Sequence, residues 1–363
     1  MKEKLLQWVS PFIRIPVTGF DISDRTVKYL RFSSRGDLSF DIFGEIEIPE
    51  GTIEKGEIKK EGVLTELFSS WAAREKKQLR SPLVAVSLPE EKSFLRVIQI
   101  PKVEQEKVGN AIRWEIEGNI PLPPDELLYD YEIVEPLEDH LDHLDVVIVA
   151  FPRSIVDSYL RVLDHARLQP ATLELESQAI IRAVIPVLRD PTGSIVVDMG
   201  RTRTSFIIFA GGAIIFTSTI ELGGNVFEKN IANTFHVGSE EALALKKNIG
   251  LNKRADGGRM FAALAPPLSV LAETLRGAME YYRGYSQHRH GADKEIDKII
   301  LSGGDANLYG LDTYLASTLK VPVYVADPLG QVRDKLTTQL PPFTRRESLA
   351  FTTAIGLALR NIR

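Results

Sequence analysis

An internal duplication constrains this 363-residue chain more than any other feature. From Val17 the chain reads VTGFDISDRTVKYLRFSSRGDLSFDIFGEIEIP. Its alternation of apolar and polar residues predicts a strand ending near Asp21, a polar turn, a strand over 27–32, a turn over 33–37 and a third strand. The plan returns in SIVVDMGRTRTSFIIFAGGAIIFTSTIELGG. Here an apolar strand leads to Asp198, a tight turn over 199–204, a strand over 205–209, a Gly211–Gly212 turn and a third strand. A repeated supersecondary unit of this kind implies two similar domains facing each other across a cleft.

Each copy presents an aspartate where the first strand enters its turn, followed by small and hydroxyl residues. Such a turn exposes backbone N–H groups beside hydroxyls, which suits phosphate oxygens. An aspartate at its entrance suits hydrated Mg²⁺, an ion that keeps most of its waters and takes few protein ligands. A polar tight turn between strands explains each loop equally well on its own; the repetition favours a shared ligand. A third segment, DKIILSGGDANLYGLDTYLASTLKVPVYVADP, reads as a short strand over 299–301, a turn at Gly303 and Gly304, and a helix over 308–319. Glycines at that junction let backbone approach a ligand at the helix N-terminus, or serve only the packing of a βα turn.

The remaining composition narrows the class. Hydrophobic residues make up 44% and charged residues 26%, which excludes disordered and low-complexity chains. A net charge of -5 disfavours sequence-independent nucleic-acid binding, and the absence of cysteine removes thiol chemistry and Cys-ligated metals. No apolar run reaches the roughly 18 residues of a membrane span and no signal-peptide pattern opens the chain, so a cytoplasmic protein is expected. The opening MKEKLLQWVSPFIRIP reads either as a short packed element or as a surface membrane anchor. Between 51 and 149 the pattern predicts a compact α+β segment. It comprises a helix over 62–77, strands over 82–88 and 93–100, a helix over 104–120 and strands over 129–134 and 145–150, with a helix over 154–166 behind them. In the acidic stretch EPLEDHLDH, His140 and His143 suggest either a metal site or a plain surface loop.

In this order, the two Asp-led loops and the strand–GlyGly–helix resemble the phosphate 1, phosphate 2 and adenosine motifs of the actin, sugar kinase and Hsp70 superfamily. The segment SFLRVIQIPKVEQEKVGNAIRWEIEGNIPLPPDELLYDYEIV is similar to the inserted subdomain of the PilM family, including Arg96, Pro101, Ile112, Glu115, Pro121 and Asp130. PilM proteins are the cytoplasmic actin-like members of the type IV pilus inner-membrane platform. VVIVAFPRSIVDSYLRVLDHARLQPATLELESQAIIRAV, ELGGNVFEKNIA and AFTTAIGLALR extend the likeness over nearly the whole chain after the first fifteen residues.

The resemblance implies an α/β, actin-like (ASKHA, duplicated ribonuclease H-like) fold with an inserted α+β subdomain of the 1C type. It assigns 16–50, 167–193 and a C-terminal helix 347–361 to a first lobe (1A), and 51–166 to the insertion. It assigns 194–235 with 295–346 to a second lobe (2A), and 236–294 to a helical subdomain (2B). It implies ATP and Mg²⁺ as cofactors. Asp21, Ser23, Asp24, Arg25, Thr26 and Lys28 would form the first phosphate loop, and Gly200, Arg201, Thr202, Arg203 and Thr204 the second. Gly224, Asn225, Lys246, Gly303, Gly304 and Asp305 would border the nucleotide, with Asp21 and Asp198 holding Mg²⁺ through water. The chain departs from the family at Ser23, where glycine is usual, at Ser205, where an acid is usual, and at Leu243, where glutamate is usual. Asp24 would repel a triphosphate unless Mg²⁺ or Arg25 offsets it. Glu174 or Glu176 would orient an attacking water, or simply start a helix where the dipole favours acids, so at most weak ATPase activity is expected.

The implied partner is the cytoplasmic N-terminal peptide of a PilN-type bitopic membrane protein. Its expected groove lies between the insertion and the first lobe, with the strand 93–100 and the helix 104–120 contributing. The same expectation includes contact with PilO- or PilB-type machinery, self-association, no nucleic acid, and a cytoplasmic location peripheral to the inner membrane. Trp114 stands roughly 200° around the helix from Ile112 and Ile116 and should point outward, covered by a neighbouring domain or anchoring a partner. Two other functions compete. A small-molecule kinase would need a substrate lobe with a catalytic aspartate; an FtsA-like filament protein would be expected to carry a C-terminal amphipathic helix where this chain ends at ALRNIR.

Overall fold

The computed structural model describes residues 16–33, 38–75, 81–101, 105–134, 143–186, 193–252, 254–286, 295–336 and 341–360. The opening segment 1–15 and His140 lie outside them. In chain order the elements are β1 (Thr18–Ile22), β2 (Thr26–Ser33), β3 (Ser39–Glu47), β4 (Ile53–Glu54), β5 (Glu57–Ile58), α1 (Glu61–Glu75), β6 (Leu83–Leu88), β7 (Phe94–Pro101) and α2 (Gln105–Asn119). β8 (Leu127–Val134), β9 (His143–Pro152), α3 (Arg153–His165), β10 (Gln169–Leu175), α4 (Glu176–Val184), β11 (Gly193–Met199), β12 (Thr204–Ala210) and β13 (Ala213–Ile220) follow. The chain continues through α5 (Gly224–Phe235), α6 (Ser239–Ile249), α7 (Arg259–Ser286), β14 (Ile296–Ser302), α8 (Leu311–Leu319), β15 (Val323–Val325), α9 (Arg345–Ser348) and α10 (Thr352–Leu359).

The chain divides into two compact units. One comprises Met1–Lys92, Arg153–Pro186 and Asp327–Arg363; the other comprises Ser93–Pro152 and Val187–Ala326. In the first, a five-stranded sheet runs β10-β6-β1-β2-β3, with β2 antiparallel to β1 and β3, and β6 parallel to β1 and β10. β1 is buried along most of its length because helices cover both of its faces. On one face Phe20 meets Phe68 and Trp71 of α1 at ring distances of 5.3 and 4.7 Å. On the other, α10 lies so close that a Cβ on Gly19 would sit 2.3 Å from the Ala354 carbonyl oxygen. α10 meets α4 as tightly, since a Cβ on Gly356 would fall 1.8 Å from the Ala179 carbonyl oxygen.

The second unit repeats the plan with a sheet of order β13-β12-β11-β14-β15. Three strands are antiparallel and the last two join in parallel, strand for strand as in the first unit. The duplication read in the sequence is therefore a duplication of whole sheets. This unit also holds a three-stranded sheet, β7-β9-β8, under α2; Ile98, Ile100, Val146 and Ile148 pack there against Val108, Ile112 and Ile116. β13 comes up against β7 and β9.

The expected insertion over 51–166 divides between the units. Its helix α1 and strand β6 build the first unit's sheet layer, because Leu64, Phe68 and Trp71 fall on one helix stripe and β6 pairs with β1. α3 stays with the first unit through Tyr159, whose hydroxyl donates to the Gly56 carbonyl at 3.0 Å. The stretch after Ala326, expected with the second lobe to 346, is likewise in the first unit. There Gln331 Nε2 donates to the carbonyls of Arg182, Ala183 and Ile185, closing the C-terminal end of α4. The helix expected from 308 begins instead at Leu311, after a 3₁₀ turn over Gly304–Asn307 and a left-handed Gly310 (φ 80°).

Gly356→Ala should cost about 1–3 kcal/mol or more of unfolding free energy, since the backbone it meets cannot move aside as a side chain does. Urea denaturation followed by circular dichroism checks this.

Candidate functional site

In a mixed α/β sheet ligands collect at the carboxyl ends of the parallel strands. In the first unit β1 ends with Asp21 and Ile22, β6 with Ser87 and Leu88, and β10 with Glu174 and Leu175. Ser87 Oγ accepts the Ile22 N–H at 3.1 Å and donates to Asp21 Oδ1 at 3.2 Å. The following turn is tight. Ser23 N–H and Oγ both donate to the Thr26 carbonyl at 2.9 Å, and Lys28 Nζ donates to Thr26 Oγ1 at 3.1 Å. Asp24 does not join the loop's polar face. Its carboxylate accepts the N–H groups of Lys55 (3.1 Å) and Gly56 (2.9 Å), two residues with positive φ at the β4–β5 turn. Arg25 pairs with Glu50 at 3.2 Å. Asp24 thereby ties the first loop to the β4–β5 turn, and the two N–H groups offset part of its charge.

Glu174 is held by cations. Its buried carboxylate takes a two-pronged contact from Arg182, at 2.7 Å to each oxygen, and a further contact from Arg360. Arg182 also donates to the Gly356 carbonyl at 2.9 Å. A carboxylate engaged on both oxygens by guanidinium groups is poorly placed to orient water; Glu174 ties β10 to α4 and α10. Glu176 opens α4 and is buried. Beside it, buried Glu90 accepts both the N–H and the hydroxyl of Ser177 at 3.1 Å, satisfying the first turn of α4.

The second unit gathers the other expected residues. Asp198, next to last in β11, is in parallel register with Ser302 of β14. After it, Gly200 N–H donates to the Arg203 carbonyl at 2.9 Å, closing the loop. The N-terminus of α5 is docked on that loop, with Gly224 N–H on the Gly200 carbonyl (3.0 Å) and Asn225 N–H on the Arg201 carbonyl (2.9 Å). Gly224 and Asn225 thus support the loop from behind. Lys246 of α6 is buried between Glu228 and Asp305, donating to each at 2.6 Å. Gly303 packs on Met199 so closely that a Cβ would lie 2.4 Å from its carbonyl oxygen, and a Cβ on Gly224 would lie 2.1 Å from Asp305 Oδ2. The loop 200–204, Gly224, Lys246 and the Gly303–Asp305 turn are therefore one packed constellation. Thr204 and Ser205 turn inward: Thr204 Oγ1 donates to the Leu222 carbonyl and Ser205 Oγ meets Thr219 Oγ1 at 3.0 Å.

Taken unit by unit, the donors fit hydrated Mg²⁺: Asp21 in the first and Asp198 in the second each offer a hard carboxylate near a strand end. Thr26, Lys28, Arg201, Thr202 and Arg203 supply polar and cationic groups of the kind phosphates use. Among the described residues no three His, Cys, Asp or Glu side chains cluster as a direct metal site. His143 Nε2 lies 3.1 Å from Gln99 Nε2.

A family model described as type IV pilus assembly protein PilM matches residues 19–362. The chain belongs to the PilM family. Among solved structures, it is similar over 97% of its length, and 100% of the other chain, to one from the PilM-PilN type IV pilus biogenesis complex, with a TM-score of 0.79 and 23% identity. MreB5 of Spiroplasma citri bound to AMPPNP matches with a TM-score of 0.57 at 13% identity, covering 94% of each chain. These likenesses establish an actin-like α/β fold. The cell shape-determining protein Mbl of Bacillus cereus is 27% identical over 241 residues, covering 56% of this chain and 72% of Mbl. Against MreB relatives the chain spans about half their length, 52%.

Within this PilM-family chain, α2 turns Ile112 and Ile116 fully inward and leaves Trp114 74% exposed, as the helical spacing requires. β8 is an edge strand, and Tyr129, Tyr131 and Ile133 on it are partly exposed beside their buried β9 partners Ala150, Ile148 and Val146. Sequence reasoning missed Ser87, Glu90, Glu228 and Ser302. A lone serine closing an otherwise apolar strand, in SLPEE and LSGG, was the available signal for two of them.

Glu174→Ala should destabilise the fold by about 3 kcal/mol, because it leaves the partly buried Arg182 guanidinium without its carboxylate. Chemical denaturation measures it; a variant as stable as the parent would return Glu174 to the catalytic candidates.

Proposed function

We propose that this pilus-assembly family member binds Mg²⁺–ATP through the Asp-led loops of its two units and takes the cytoplasmic N-terminal peptide of a PilN-type bitopic membrane partner. One observation supports the nucleotide reading: each unit has an aspartate next to last in the first strand of its sheet, a buried serine near the end of the parallel neighbour, and a hydroxyl-bearing turn after the strand. A nucleotide in MreB5, whose fold is shared, supports the same reading. ATP would act mainly as a conformational ligand, with Glu176 the remaining candidate for positioning water and hydrolysis at most weak. Among the described residues no helix is long and apolar enough to cross a membrane, so attachment to the inner-membrane platform would come through the partner. Contacts with PilO- or PilB-type machinery and self-association belong to the same proposal.

The peptide reading draws support from the likeness to a chain of the PilM-PilN complex and from the exposed aromatic side chains on α2 and β8. The strand expected to contribute, 93–100, is β7, which has β13 beside it; the edge with partly exposed aromatics is β8.

Asp198→Ala should weaken Mg²⁺–ATP binding about tenfold or more while the protein stays folded, as calorimetry would record; unchanged affinity would remove Asp198 from the site. Trp114→Ala should cost more than about 1 kcal/mol of affinity for a PilN-type peptide if Trp114 is an anchor. Titration of the folded variant reads this directly, and full affinity would exclude the role.

A further inference from the structure

Ser87 is completely buried at the end of β6, where its hydroxyl serves two groups at once. The Ile22 N–H can only donate, so Oγ accepts it; the hydroxyl's single proton then goes to Asp21 Oδ1, an acceptor when ionised. The carboxylate is thus held from the neighbouring strand, and the loop that begins at Ile22 is held by the same oxygen. A purely apolar residue would complete the strand LVAVSL without burying a hydroxyl that needs partners. The partner found is the aspartate at the loop entrance.

The second unit repeats the placement. Parallel register sets Ser302 of β14 directly beside Asp198 of β11, and Ser302 too is fully buried. In both sheets the serine is on the first parallel neighbour of the strand that carries the aspartate. The duplication therefore extends beyond the acid-led loops to the residue behind each acid.

We infer that Ser87 and Ser302 are positioning residues for Asp21 and Asp198, turning each carboxylate toward the water shell of the Mg²⁺–nucleotide; the inference rests on the nucleotide reading above. Residues that orient a metal's ligands typically carry about 10–100-fold of its affinity. Groups that only pack would move affinity with and without metal alike.

The test is calorimetry on the full chain with ATP, once in Mg²⁺ and once in EDTA, beside thermal unfolding of the nucleotide-free protein. Ser87→Ala and Ser302→Ala should each lose about tenfold in affinity for Mg²⁺–ATP and stay within about twofold for metal-free ATP; Ser87→Thr, which keeps the hydroxyl, should recover the Mg²⁺ preference. Unchanged Mg²⁺–ATP affinity in both alanine variants, or equal losses with and without metal, overturns the positioning role. Should Ser87→Ala fail to fold, Ser302→Ala and Ser87→Thr carry the same comparison. A parent protein that binds no ATP, or an Asp198→Ala variant that binds as well as the parent, overturns the nucleotide reading itself and this inference with it. A parent whose Mg²⁺ preference is lost in Asp198→Ala but kept in both serine variants rejects the serines alone.

Discussion

The buried carboxylate of Glu174 is the contact on which the first unit's assembly turns. Placing an acid in the interior costs several kcal/mol unless a cation and further hydrogen bonds accompany it. Arg182 and Arg360 both reach it, and Arg182 continues to the Gly356 carbonyl. Those residues come from β10, α4 and the end of the chain. Because the charge must be matched, segments separated by 186 residues are held in one place. α10 is thereby seated on β1 at Gly19 and against α4 at Gly356, two contacts that any side chain would block.

With α10 seated, the carboxyl ends of β1, β6 and β10 come into register, and the chemistry of the candidate site follows from the sheet. Asp21 and Ser87 meet across the β1–β6 pair; Glu90 and Ser177 finish the first turn of α4 nearby. The second unit reaches a comparable arrangement by other means. Its constellation is drawn together by Lys246, whose buried ammonium needs both Glu228 and Asp305, and by glycines that let α5, the loop 200–204 and the turn at Gly303 pack backbone to backbone.

The two units therefore use one sheet plan with different locks, two guanidinium groups on one carboxylate in the first and one ammonium between two carboxylates in the second. The family is a pilus-assembly family, and the same division keeps the proposed nucleotide loops apart from the surface proposed for a partner. The core of the β7-β9-β8 layer under α2 is largely isoleucine and valine, while Trp114, Tyr129 and Tyr131 stay exposed on it.

Local pattern was enough to place the strands of both repeats, the outward turn of Trp114 and the positions of Asp21 and Asp198, because each depends on periodicity or on a neighbour within a few residues. Pairing between distant segments decided the rest. β6 reads as an apolar strand wherever it is placed, and only its parallel register with β1 assigns it to the main sheet rather than to the insertion. Asp24 reads as a loop acid until the β4–β5 turn, some thirty residues on, offers it two N–H groups. Glu174 reads as a helix-start carboxylate until Arg182 and Arg360 close on it. In each case the side chain's chemistry was legible in the sequence, but its partner was not, since hydrogen-bond and ion-pair partners are chosen by proximity in space rather than along the chain.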